Sequence, residues 1–233
     1  MDKAFHDETR RSFLKRASLF AVALPAGVLI NCARPARTQP ARVEARADTK
    51  PRVGGYCEGC EAIYDGMPAQ LNWETRIATA NEPGEPFEAS GRIFQPDGKT
   101  PAPDVILYAY HTDAKGIYSP APGATGGARR NGHLRGWTKT NARGEYKFVT
   151  IKPASYPDTK IPSHIHLIVK EADKNEYYID SFEFDDDPFL TQQERARRRK
   201  LGGSGVVHLT KNAGGVWLAK RDITLGLNVP DYR

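Results

Sequence analysis

Residues 163–170 read Ser163-His164-Ile165-His166-Leu167-Ile168-Val169-Lys170. A short run this rich in β-branched and apolar residues predicts a strand. Its period of two places His164 and His166 on one face and Ile165 and Leu167 on the other. Comparable runs occur at 88–95, 104–111, 145–151, 177–184, 206–209 and 216–225. Turn clusters such as Pro96-Asp97-Gly98 and Asn141-Ala142-Arg143-Gly144 separate them. Short strands punctuated by turns predict an all-β fold, an antiparallel β-sandwich with one short helix and long loops. The helix is placed by Thr191-Gln192-Gln193-Glu194, a capping-box pattern, and Gly202-Gly203 is expected to end it. Its basic run 195–200 reads as a solvated face. The stretch 119–134, rich in Gly, Pro and Ala, reads as a long loop of the kind that lines a site.

The 233 residues suffice for one sizeable domain. The formal charge of +6 suggests a polyanion partner until it is mapped along the chain. Residues 1–31 carry a net +2 and residues 32–52 a net +4, while the 23 bases and 23 acids of 53–233 cancel. The basicity belongs to a leader and a linker, so a nucleic-acid function loses its electrostatic support.

Residues 1–31 are expected to be an export signal. Thr9-Arg10-Arg11-Ser12-Phe13-Leu14-Lys15 precedes an uncharged run at 17–30, too short to span a bilayer comfortably but suited to a signal-peptide core. The pattern resembles a twin-arginine signal; an ordinary secretory leader is the plainer alternative. Cys32 closes the run and is a possible lipid anchor, with cleavage further along as the other course. Residues 32–52 read as a disordered tether, and 53–233 as the sandwich domain. The expected location is the periplasm, free or tethered to the membrane facing it. There, Cys57 and Cys60 are expected to pair as a disulfide. A zinc site shared with the His pair and a redox-active Cys pair are the alternatives.

Two imidazoles about 7 Å apart along a strand can share one metal ion. Alone, such a pair is commonly no more than hydrogen-bonded, and its neighbours decide the matter. Upstream lie Asp113-Ala114-Lys115-Gly116-Ile117-Tyr118-Ser119, then the strand-turn-strand pattern from Gly136 to Phe148, then Thr150-Ile151-Lys152-Pro153-Ala154-Ser155-Tyr156-Pro157, then Pro162-Ser163-His164-Ile165-His166. This ordered series, over roughly 88–188, closely resembles the intradiol ring-cleavage dioxygenases, the family of the catechol and protocatechuate enzymes. The resemblance implies a non-haem ferric ion, Fe(III), held by Tyr118, Tyr156, His164 and His166. Tyr118 matches the Tyr of a D-x-x-G-x-Y stretch, Tyr156 the Tyr that precedes a Pro, and the His pair a P-A-H-I-H strand. It further implies a catecholic substrate cleaved with O2 between its two hydroxyl-bearing carbons to a muconate-type diacid. Tyr156 is then the catalytic residue, the axial ligand that substrate displaces. The chemistry is coherent, because a hard, highly charged ion favours anionic oxygen donors and keeps bound phenols ionised.

Two departures accompany the resemblance. The family's Arg before the first His is replaced by Ile161, with Lys160 beside it, and an ungapped count puts Ser181 where the family has a Gln. Lys160 and Arg135 are the candidates for the absent cation. The family's N-terminal helical region is also replaced by the Cys57–Cys60 segment, expected over one end of the sandwich. The rival expectation is an exported binding module that keeps the metal site but lacks turnover.

Overall fold

The run at 163–170 forms a strand, with its odd-numbered residues facing inward. The computed structural model describes residues 52–233, so the expectations for the leader, for Cys32 and for nearly all of the tether lie outside the described residues. In chain order the elements are β1 (Glu74–Arg76), β2 (Pro86–Phe94), β3 (Ile106–His111), α1 (Gly126–Arg130), β4 (Arg135–Lys139), β5 (Glu145–Ile151) and β6 (His164–Lys170). There follow β7 (Tyr177–Phe184), α2 (Gln192–Arg197), β8 (Val206–Val207), β9 (Leu209–Lys211), β10 (Trp217–Lys220) and β11 (Ile223–Thr224).

They build two sheets. One has the order β1-β5-β2-β10-β9 with β11 beside β2, and the other has the order β4-β3-β6-β7-β8. The long central ladders are antiparallel, as expected. The short strands β1, β8 and β11 instead pair in parallel with β5, β7 and β2, and β10, which forms an antiparallel hairpin with β9, pairs in parallel with β2 on its other side. Between the sheets lie Phe87, Ala89, Ile93, Tyr146 and Phe148 from one and Leu107, Ala109, Ile165, Leu167, Phe182 and Phe184 from the other. Phe87 and Phe184 meet edge to face across the interface, 5.4 Å between centroids. Burying each such side chain contributes about 1.5–3 kcal/mol.

Four elements differ from the sequence expectation. The run 206–209 is divided at His208, with β8 in the five-stranded sheet and β9 in the other. The run 216–225 is two strands, because Arg221 breaks it. Its N–H donates to the Ser90 carbonyl at 2.9 Å, and its guanidinium donates to the carbonyls of Asp180, Leu201 and Gly203. Gly91 permits this approach, since a Cβ there would stand 1.8 Å from the Arg221 carbonyl oxygen. A second helix, α1, lies in the expected loop 119–134. Its two leading glycines mask it in sequence, and a tertiary partner supports it: the Gly127 N–H donates to the Asp65 carboxylate at 2.8 Å. Helix α2 begins at the expected cap, with Thr191 Oγ1 accepting from the Glu194 N–H. It stops at Arg197, short of Gly202-Gly203, because Arg198 turns extended and its side chain is drawn to Glu183 and Glu194.

The Cys57 and Cys60 sulfurs are at bonding distance, with Cα atoms 5.6 Å apart. A 3-10 turn, Cys60–Tyr64, follows. This segment covers the outward face of the five-stranded sheet rather than one end of the sandwich. Cys60, Ala62 and Ile63 pack on Tyr108, Tyr110, Trp137 and Ile168, and the Trp137 indole N–H donates to the Ile63 carbonyl at 2.6 Å. Period two explains the placement. With Leu107 and Ala109 turned inward, β3 must present Tyr108 and Tyr110 outward, and that apolar face needs cover.

Candidate metal centre

The same outward face carries His164 and His166. Across the ladder, His166 stands opposite Tyr110 and His164 opposite Glu183. The Tyr110 ring stacks on His166 with centroids 4.5 Å apart and planes inclined by 20°. The Tyr110 and Tyr178 hydroxyls are hydrogen-bonded at 2.8 Å, which fixes the stack from beyond.

Tyr118 and Tyr156 arrive on loops, and the sequence explains how. Asp113 closes the turn after β3. One carboxylate oxygen accepts the N–H groups of Lys115 and Ile117, and the other accepts the Ser119 hydroxyl. Burial pushes its carboxyl up, but these bonds outweigh that effect and hold it below the usual range. Gly116 has φ +79°, and a Cβ there would lie 2.0 Å from the Ser155 carbonyl oxygen. That contact sets the loop bearing Tyr118 against the loop bearing Tyr156. Two further bonds seat the loops. Thr112 Oγ1 donates to the Ala154 carbonyl at 2.6 Å, and a His133 ring nitrogen lies 2.7 Å from the Ser119 carbonyl.

All four residues singled out in the sequence come together. The Tyr118 and Tyr156 hydroxyls are 2.9 Å apart, Tyr156 Oη is 3.1 Å from His164 Nε2, and the two Nε2 atoms are 3.0 Å apart. His164 Nδ1 lies 2.7 Å from the Pro162 carbonyl, which can only accept. The proton therefore sits on Nδ1 and leaves a lone pair on Nε2. Burial pushes both imidazoles down, His166 to about 3, so both are neutral, as a metal ligand must be. Burial also drives the Tyr118 phenol well above its ordinary range, and the Tyr156 hydroxyl adds to the effect. A strong cation is what would reverse that. Two lone-pair imidazoles and two phenols, crowded oxygen to nitrogen, fit a hard, highly charged ion. Among the described residues no group of three or more His, Cys, Asp or Glu is placed to hold a metal. The zinc alternative for Cys57, Cys60 and the His pair is thus not formed.

Beside the His pair lies a cavity of about 370 Å³, lined by Ile161, Pro162, Ser181, Glu183 and Arg198 among others. Lys160 lines it too, as expected of a candidate cation. Arg135 does not; its guanidinium donates to the Asp65 carbonyl and lies over the Trp137 ring. Ser181 Oγ is 3.5 Å from His166 Nδ1, a contact at the edge of hydrogen bonding. The cation that sequence reasoning missed is Arg198. Its Nε donates to Glu183 at 2.6 Å and its Nη1 to Glu194 at 3.2 Å. The basic run is therefore only partly a solvated face. Tyr110 and Glu183 were missed as well. The signal for both is strand register: each stands directly opposite a site histidine, which period two alone does not reveal.

A family model described as Dioxygenase matches residues 63–202. Catechol 1,2-dioxygenase 1 of Acinetobacter lwoffii is 27% identical over 203 residues, covering 74% of this chain and 60% of that protein. The chain thus spans about 60% of the length of the curated relative it matches. Among solved structures, 3-chlorocatechol 1,2-dioxygenase from Rhodococcus opacus 1CP is 20% identical, with a TM-score of 0.52 over 68% of this chain and 66% of that one. The dioxygenase domain of a dioxygenase–carbohydrate-binding protein fusion from Streptomyces sp. SirexAA-E is 22% identical, with a TM-score of 0.51 over 68% of this chain and 91% of that one. At such identities these structures speak to the fold alone.

Proposed function

This chain belongs to the dioxygenase family, and we propose on that premise that it opens a catecholic ring between its two hydroxyl-bearing carbons. Tyr118, Tyr156, His164 and His166 would hold a ferric ion. The observation that carries this reading is the convergence of two phenols and two neutral imidazoles beside a cavity. When bound, ferric iron supplies a hard Lewis acid that keeps phenols ionised and makes a bound catecholate reactive toward dioxygen.

The chain's own residues do the rest. His164 is oriented by its Nδ1–H bond to the Pro162 carbonyl, and His166 by the Tyr110 ring stacked against it. Tyr118 is wedged among the rings of Tyr110, Tyr156 and His166, so it stays in place throughout. Tyr156 sits on a loop, and its hydroxyl touches only Tyr118 and His164 among the hydrogen-bonded groups. Of the two phenols it has the fewer ring neighbours, and it would be the one to give way to substrate, its Oη taking up a proton from the incoming catechol. The stoichiometry closes without a reductant: catechol and O2 together contain the atoms of the muconate-type diacid. The iron-loaded protein is expected to consume one O2 per catechol and to form a product with muconate absorbance. Iron-replete protein without oxygen uptake on any catechol would refute ring cleavage and leave the binding module.

The reading extends to location. The Arg10-Arg11 leader directs export to the periplasm, and Cys32 anchors the protein by a lipid. Replacing both Arg by Lys should hold the protein in the cytoplasm, and Cys32→Ala should release it from the membrane fraction. Unchanged fractionation in either variant would remove that part of the reading.

A further inference from the structure

His164 takes its orientation from a carbonyl, and that carbonyl is itself held. The Pro162 C=O accepts from His164 Nδ1–H at 2.7 Å. The same peptide unit ends in the Ser163 N–H, which donates to Asp187 Oδ2 at 2.8 Å. The Ser163 hydroxyl donates to the same oxygen at 2.7 Å. Ser163 is 6% exposed, so water is no ready substitute for either bond. Asp187 lies just past the end of β7, and the pairing of His164 with Glu183 brings that end beside the start of β6. The other carboxylate oxygen, Oδ1, accepts the Phe189 N–H at 2.8 Å and closes the aspartate's own turn. One oxygen serves the turn, and the other is given to Ser163.

A peptide unit is planar, and in the trans form found here its N–H and C=O point opposite ways in that plane. Fixing the Ser163 N–H therefore fixes the direction of the Pro162 carbonyl. A bond to a carboxylate is also charge-assisted, and hydrogen bonds in series polarise one another. The charge on Asp187 pulls on the Ser163 proton and leaves the Pro162 oxygen a stronger acceptor. A stronger acceptor keeps the imidazole proton on Nδ1 and makes Nε2 the better donor to a metal. His166 lacks a comparable partner, since its Nδ1 meets Ser181 Oγ at 3.5 Å.

We propose that Asp187 is a positioning residue for the metal centre: through the Pro162–Ser163 peptide it holds His164 in the Nδ1–H form, with Nε2 bare for the ion. This rests on the ligand set of the proposed function and deepens it. The relay is a carboxylate, a peptide and an imidazole in line, drawn from the turn after one strand and the start of its neighbour.

The test is nitrogen-15 NMR of the histidine rings in the metal-free full chain at neutral pH, with ferric-iron retention measured against a competing chelator. Asp187→Ala should populate the Nε2–H form of His164 and weaken iron retention about tenfold or more. Asp187→Asn, which keeps the shape without the charge, should do both to a lesser degree. Ser163→Ala removes the hydroxyl bond but keeps the peptide bond to Asp187, and should leave tautomer and iron retention as in the parent. A parental His164 tautomer in Asp187→Ala, or in Asp187→Asn should the alanine variant not fold, overturns the relay. A shifted tautomer with parental iron retention overturns it too, because the proton's place would then not matter to the ion. An equal loss in Ser163→Ala overturns it by assigning the effect to side-chain packing. Parent protein that takes up no ferric iron overturns the ligand set and the ring-cleavage reading, while the tautomer, read without metal, still decides whether Asp187 holds His164.

Discussion

Tyr118 and Tyr156 present the same phenol but are held differently, and that difference gives them separable roles. Tyr118 lies among three other rings, those of Tyr110, Tyr156 and His166, while Tyr156 meets two, those of Tyr118 and His164, and its carbonyl accepts from the Thr159 hydroxyl. In iron-loaded protein, Tyr118→Phe is expected to lose most of the visible tyrosinate-to-iron absorbance and to weaken iron retention at least tenfold. Tyr156→Phe should keep its iron, with a red-shifted catecholate band, yet lose the proton uptake that accompanies substrate binding. Absorbance titrations under argon with a pH indicator read both, and colour that survives both changes would refute the ligand set. Both tyrosines and both histidines were legible in sequence because each sits in a short local pattern, Asp-x-x-Gly-x-Tyr, Tyr-Pro or His-x-His. Arg198 and Glu183 were not. Their meeting joins a helix end to a strand, a contact no local pattern encodes.

Among the elements, the turn after β3 decides whether the site forms. Gly116 combines a positive φ with a Cβ position 2.0 Å from backbone, whereas Gly55 has φ +73° and open space around it. Gly55→Ala should cost roughly 1–2 kcal/mol, the left-handed penalty alone. Gly116→Ala should cost more, upwards of about 3 kcal/mol once the clash is added, and should also separate the two tyrosines. Chemical denaturation gives the stabilities, and iron titration tells whether site and fold fail together. Equal costs at the two positions would show that the loop yields easily. The central strands were legible because period two and burial agree in them. Helix α1 was not, since Gly126-Gly127-Ala128-Arg129-Arg130 lacks an apolar face and leans on Asp65 from a distant segment. The split of β10 from β11 was hidden for a related reason: a buried Arg reads as an outward strand residue until its carbonyl partners are seen.

For the molecule as a whole, acid is the expected weakness. His111 is buried between the Thr112 carbonyl and the Thr150 hydroxyl, and burial pushes its pKa down to about 4. His133 and His164 add to that, while Asp113 opposes it. The unfolded chain protonates His111 near the ordinary histidine value of 6.5. The unfolded state therefore binds more protons between those values, and stability is complete above about 6.5 and lost as pH falls toward 4. The loss is on the order of 3 kcal/mol. His133, raised despite its burial by the Ser119 carbonyl and Glu82, acts the other way, contributing below its unfolded pKa and fading as pH rises. Urea midpoints of metal-free protein across pH 4–8 (with roughly the urea sensitivity usual for this size) should show the acid slope, and His111→Gln should flatten it. A variant slope equal to the parent's would assign the acid loss elsewhere.

The four candidate ligands stand on the outward face of the five-stranded sheet, while the sandwich is held together by what lies beneath them. Chemistry and scaffold are therefore mutationally decoupled. Ile165 and Leu167 answer to packing between the sheets, whereas His164 and His166, their immediate neighbours, face the candidate site. A lineage could lose the histidines one by one and still fold, leaving a sandwich with a vestigial cleft. It could equally alter the cleft's lining to suit a new ring without disturbing the core. The alternation of a single strand thus separates what selection for stability sees from what selection for activity sees.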